Sequence, residues 1–205
     1  MRGDGTMRLT DGMVLYHGSY MPVEHIDLSL CLSGKDFGSG FYVTSDLEQA
    51  KQFIPNSIRK AMQGGRLNET QAFGYVSSFV FHGNPEDFQY YDFPDANEAW
   101  LRFVAYNRGG GNEDLLQLVE LPEELRDLRV KAEIISGKVA NDNTNRVITA
   151  YSTGIMGDRN NPDVIRLVIN QLMPEKLKDQ FCFLRQHAIE SLTFQEVTQY
   201  GGSKY

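Results

Sequence analysis

An imidazole, a bare glycine backbone and a hydroxyl stand in consecutive positions at His17-Gly18-Ser19. An aromatic pair follows a glycine-rich approach at Gly38-Ser39-Gly40-Phe41-Tyr42. A glycine at a strand end lets backbone N–H and C=O approach a flat ligand with no Cβ in the way. One such peptide unit offers the donor and the acceptor that a carboxamide needs, and the flanking His17 and Ser19 can hydrogen-bond ribose hydroxyls. Alternate side chains of a strand point to opposite faces, so Tyr42 can face a ligand while Phe41 and Val43 face the core. A tyrosine ring holds a cation by on the order of 1 kcal/mol, and Phe53, on the helix that follows, can cover the other side of it. The ligand such groups suit is flat and carries both an amide and a cation. Taken alone, His-Gly-Ser is also a turn with a satisfied histidine, and each aromatic is also a core residue.

The elements that must position these groups can be read from spacing. Val14-Leu15-Tyr16-His17 is a short strand ending at Gly18, and Gly40 to Thr44 is a second. Ser45 or Asp46 caps a helix whose apolar face is Leu47, Ala50 and Phe53 or Ile54, with Pro55 expected to end it. Phe73 to His82 alternates as a strand, and Asn84 to Asp92 reads as turns. Ala96 to Asn107 has helical spacing and stops at Arg108 and Gly109-Gly110-Gly111, a flexible loop. Leu115 to Arg129 reads as loop with helical turns, and Lys131 to Val139 as a strand. Arg146 to Tyr151 and Pro162 to Leu172 are helical, the second capped by Asn160 or Asn161. Gln180 to Leu184 is a strand, Gln186 to Leu192 a helix and Thr193 to Thr198 a last strand. Short, irregularly spaced strands without regular βαβ units predict an α+β fold.

Composition bounds the function classes. The 205 residues suit one domain, taken as residues 13–200, with residues 1–12 a tail assigned no role and Met13 a candidate native start. A hydrophobic share of 41% with 23% charged residues is that of a soluble globular protein. No apolar run approaches the roughly 20 residues of a membrane span, and no secretory leader is present, so a cytoplasmic location is expected. A net charge of −7 argues against a broad basic surface for double-stranded nucleic acid. The two cysteines and four histidines form no metal spacing, and Cys31 and Cys182 read as buried free thiols.

The order HGS, spacer, GSGFYVTSDLEQAKQF resembles the ADP-ribosyltransferase superfamily, in its histidine–tyrosine–acid branch, which includes the poly(ADP-ribose) polymerases and diphtheria toxin. The likeness extends to a bacterial family of unknown function, DUF3990. That family shares a helix like Glu98 to Phe103 ending in Asn107-Arg108, a strand and turn like Gly137 to Asp142, and a run like Asp179 to Phe183. The resemblance implies a split β-sheet core with peripheral helices and NAD+ as substrate, with no metal. It implies that His17 orients a ribose, that Gly18 holds the carboxamide with support from Ser19, and that Gly40 belongs to the cofactor-binding approach. Tyr42 and Phe53 would sandwich the nicotinamide. The third family position is usually a glutamate, and here Gln180 stands in that slot, with Asp142 the alternative acid and a helix cap equally. An uncharged amide accepts a hydrogen bond but is no general base, which favours a single transfer over chain elongation. The implied activity is mono-ADP-ribosyl transfer to a protein or nucleic-acid acceptor, as in toxins of bacterial conflict systems that are paired with a cognate antitoxin. NAD+ hydrolysis, or NAD+ or ADP-ribose binding without turnover, are the alternatives. Arg108 beside the glycines reads as solvated or as a pyrophosphate partner, Lys35 as a phosphate contact, and Trp100 as core.

Overall fold

Alternating apolar residues build two sheets in the computed structural model, which describes residues 8–109, 121–139, 142–172 and 178–201. The first is three-stranded and antiparallel, in the order β1 (Val14–Ser19), β3 (Phe73–Phe81) and β7 (Leu192–Gly201). The second has four strands in the order β2 (Phe41–Val43), β6 (Asp179–Phe183), β5 (Ile134–Lys138) and β4 (Tyr90–Asp92). Helices and mixed sheets together make the fold α+β. Leu15, Phe79 and Phe81 of the first sheet pack against Phe41, Val43, Ile134, Phe181 and Phe183 of the second, forming an apolar layer between them. The opposite face of the second sheet, through Ile135 and Cys182, packs on helices. These are α2 (Glu98–Arg108), α3 (Glu123–Lys131), α4 (Asp142–Ser152) and α5 (Pro162–Leu172). A short α6 (Gln186–Ile189) joins β6 to β7.

Helix α1 (Leu47–Gln63) covers the outer face of the first sheet, where Ala50, Ile54 and Ile58 meet Val76. Asp46 is its cap, accepting from the N–H groups of Glu48 and Gln49. Pro55 does not end this helix, as its sequence suggested, but lies inside it. A mid-helix proline costs roughly 3 kcal/mol, and here Ile58 and Ala61 continue the buried face beyond it, so packing outweighs the lost bond.

Other boundaries also moved. Tyr90 to Asp92 forms a parallel strand with Ile134 to Ser136, too short to leave a period in the sequence. Lys131 belongs to α3, with Pro122 at its start, rather than to the strand that follows. Residues 8–12, given no role from sequence, join the fold: Leu9 is 1% exposed in the inter-sheet core, and Gly12 N–H donates to the Phe81 carbonyl. Residues 1–7, Gly110, Gly111, Leu115 to Glu120, Asn141 and the side chain of Asp142 lie outside the described residues. Among the described residues, no helix is long and apolar enough to cross a membrane.

Candidate functional site

Among the described residues, the two sheets touch edge to edge at one antiparallel bridge, in which Tyr16 and Thr44 exchange N–H···O bonds of 2.7 and 3.0 Å. Backbone groups alternate in direction along a strand, so Gly18 turns its N–H and C=O to the same side as Tyr16. The ladder would next pair Gly18 with Tyr42, but it stops at the bridge. Instead the Tyr42 carbonyl accepts from His17 Nδ1 at 2.7 Å. The imidazole therefore closes the split where the strands part, and the Gly18 peptide edge faces it without a ladder bond.

A carbonyl only accepts, so Nδ1 carries the hydrogen and Nε2 keeps the lone pair. Burial lowers the His17 pKa to about 4, the Tyr42 carbonyl opposes that shift, and the Lys35 charge adds to it, so the ring is neutral near pH 7. It lies 4.6 Å from the Phe41 ring, centroid to centroid.

Gly18 has a packing reason. A Cβ there would fall 2.0 Å from the Ala50 carbonyl oxygen of α1, so only glycine lets helix and strand come this close. Gly40 is likewise pressed on β6, where a Cβ would meet Cys182 Sγ at 2.6 Å and the Phe183 oxygen at 2.8 Å. Ser19 is buried, and its hydroxyl accepts from Met21 N–H at 3.4 Å.

Tyr42 is half-buried on the helix-covered face of β2, opposite the face carrying Phe41 and the imidazole. Backbone links the His17 and Tyr42 positions, while the phenol reaches into the loop before β2. Its hydroxyl donates to the Gly38 carbonyl at 2.8 Å and accepts from Phe37 N–H at 2.9 Å. Burial pushes the phenol pKa well up. The Lys35 ammonium stands 5.2 Å from the ring centroid, so the ring already holds a cation. Burial lowers the Lys35 pKa. Phe53 is 39% exposed on α1, with Lys60 Nζ 5.7 Å from its ring.

Gln180 is the second residue of β6, not its first, and is 7% exposed on the same face as Tyr42. Its Nε2 donates to Asp36 Oδ2 at 2.8 Å and to the Lys138 carbonyl at 3.4 Å. Asp36, 5% exposed, also takes Arg108 Nε at 2.7 Å, and Asn107 Nδ2 donates to its backbone carbonyl at 3.3 Å. Arg108 is therefore ion-paired rather than solvated. Sequence reading missed Asp36, and its signal was faint: a lone acid between Lys35 and Phe37, buried by partners distant in the chain.

Trp100 is fully buried, its indole N–H on the Lys138 carbonyl at 3.0 Å. Cys182 is fully buried, and burial pushes its thiol well up, whereas Cys31 is only half-buried. His187 Nδ1 lies 2.8 Å from Glu133 Oε1, and His25 is exposed. Among the described residues, no group of three or more His, Cys, Asp or Glu side chains gathers as a metal ion requires.

Chemically, the split offers a peptide edge with donor and acceptor and a neutral imidazole with a lone pair on Nε2, while the Tyr42 ring, which attracts cations, stands on the other face of β2. A buried amide anchored through its nitrogen stands on the same face as that ring. No curated protein and no solved structure matches this chain. The family model described as "Protein of unknown function (DUF3990)" matches residues 13–194, from the start of β1 into β7, and the chain belongs to that family.

Proposed function

We propose that this protein binds NAD+ and transfers its ADP-ribose to a macromolecular acceptor, releasing nicotinamide. The observation that carries this reading is the opened ladder at Gly18, whose N–H and C=O face the split beside Tyr42 and His17. Two sheets joined at one bridge also agree with the split-sheet core that the sequence resemblance implies.

In this reading the Gly18 peptide takes the carboxamide as donor and acceptor, and His17 Nε2 accepts from a ribose hydroxyl. Tyr42 supplies the π-face for the pyridinium, in exchange for Lys35. Ser19 and Gly40 hold the strand ends in place, and Phe53, exposed on α1, covers the outer side of the ring. In the reaction, the bond from ribose C1″ to the pyridinium nitrogen breaks, and its electron pair leaves with nicotinamide. A lone pair of the acceptor forms the new C1″ bond, and the acceptor's proton passes to solvent. The protein's share is to position the cofactor and stabilise the developing positive charge.

Gln180 favours one transfer to an acceptor that brings its own nucleophile, because an amide removes no proton. A protein or nucleic-acid acceptor in a bacterial conflict system, with a cognate antitoxin and a cytoplasmic site of action, fits that chemistry. The same amide favours a second reading, NAD+ or ADP-ribose binding without turnover. Incubation with NAD+ labelled in its adenylate part tests both. Labelled macromolecule with free nicotinamide is the expected result, and free ADP-ribose would mean hydrolysis. Thermal protection without nicotinamide release would leave only binding, and no protection and no release would end the assignment.

A further inference from the structure

Two separate pieces of the chain meet one buried carboxylate, that of Asp36: Arg108 at the end of α2 and Gln180 of β6 donate to it. Asn107 donates to the Asp36 backbone carbonyl, and Gln180 also donates to the Lys138 carbonyl at the end of β5. Both Gln180 partners, a carboxylate oxygen and a backbone carbonyl, are pure acceptors. The amide nitrogen must therefore face them, and both its hydrogens are used. This orientation leaves Oε1 as the outward end, and among the described residues no protein group donates to it. Asp36 is itself held at its backbone by Asn107 and at its carboxylate by Arg108. It is 5% exposed, and its carboxylate oxygens meet Gln180 and Arg108.

We propose that Asp36 is a positioning residue that locks Gln180 with Oε1 presented as a hydrogen-bond acceptor to a ribose hydroxyl of the bound dinucleotide. This rests on the reading of the site as one that cleaves NAD+. A carboxylate accepting from the amide nitrogen draws that N–H toward itself and makes the amide oxygen a stronger acceptor. The Asp36–Gln180 pair thus splits between two side chains what one glutamate does elsewhere: Gln180 makes the contact and Asp36 holds the negative charge behind it. An acceptor that strengthens with charge building at C1″ acts more on the transition state than on the ground state.

The test is a double-mutant cycle on nicotinamide release from NAD+, each variant normalised to its folded fraction by thermal unfolding. Asp36→Asn keeps the size and an acceptor oxygen but removes the charge, and it should lower kcat about tenfold with KM within about threefold. In a Gln180→Ala background the same substitution should cost nothing further. In a Gln180→Glu background its sign should reverse, because two neighbouring carboxylates repel and Asp36→Asn relieves them. A residue that merely supports the fold shows neither the split between kcat and KM nor the reversal. Loss of activity that adds to Gln180→Ala, or that is equal in all three backgrounds, overturns the proposal while leaving NAD+ cleavage standing. A wild-type protein that releases no nicotinamide overturns both.

Discussion

Two buried polar clusters lie on opposite faces of the four-stranded sheet, and they differ in whether a bonding group is left over. On the face toward the first sheet, Tyr90 donates to Ser136 Oγ at 2.7 Å and Ser136 donates to Asp92 Oδ1 at 2.6 Å. Ser136 is fully buried, and each hydroxyl hydrogen is spent in the chain. On the face toward the helices, Asp36, Arg108, Asn107 and Gln180 are equally interlocked, but the amide oxygen of Gln180 has no protein partner among the described residues. Fully buried polar atoms are nearly always paired, and the Gln180 oxygen is not among the sealed ones, so it stays open to solvent or a ligand. A closed chain of hydrogen bonds is what stability alone requires. An open end beside Tyr42 is what binding requires.

That contrast can be broken most decisively at the split. His17→Ala and Tyr42→Ala should each lower NAD+ turnover at least about tenfold with the folded state retained, as circular dichroism would report. Unchanged turnover in both would remove the split from the function. The closed cluster should behave in the opposite way. Ser136→Ala strands the Tyr90 hydroxyl and removes a donor from Asp92, at a cost of about 1–3 kcal/mol in chemical denaturation. Turnover per folded molecule should not change, and a specific loss of activity would erase the distinction between the two faces.

A smaller effect should appear with pH. The folded His17 value of about 4 lies below the ordinary 6.5, so the unfolded chain takes up the proton first. Its contribution to stability is complete above about 6.5 and is lost as the pH falls toward 4. In His17→Asn, whose amide can still donate to the Tyr42 carbonyl, Tm should fall less steeply between those limits. Equal slopes in the two proteins would mean that His17 is not held neutral. The smallest effect is expected from Lys35→Met, which clears the ammonium from the Tyr42 ring and keeps the stem. NAD+ should then bind about two- to fivefold more tightly, the scale of one exposed cation–π contact. Weaker binding would make Lys35 a ligand for the phosphates instead.

Most elements could be read along the chain because their signals are local. Pro162 to Leu172 is the helix its spacing predicts, Asn161 accepts from Asp163 N–H at its start, and Phe73 to Phe81 is the expected strand. The misjudged boundaries are those where packing overruled a local rule, as at Pro55 inside α1, or where an element is too short to show a period, as at Tyr90 to Asp92.

For the candidate site, residue types drew attention to His17, Gly18 and Tyr42, because hydrogen-bonding capacity and aromatic character belong to each residue alone, and Gln180 came only from the family resemblance. The partnerships could not be read that way. Whether Gly18 yields to Ala50, which ring nitrogen of His17 meets Tyr42, and which carboxylate stands behind Gln180 depend on groups far apart in sequence that only the folded chain brings together. Asp36 and Gln180 lie 144 positions apart, and only the closing of α2, β5 and β6 around one loop makes them a pair.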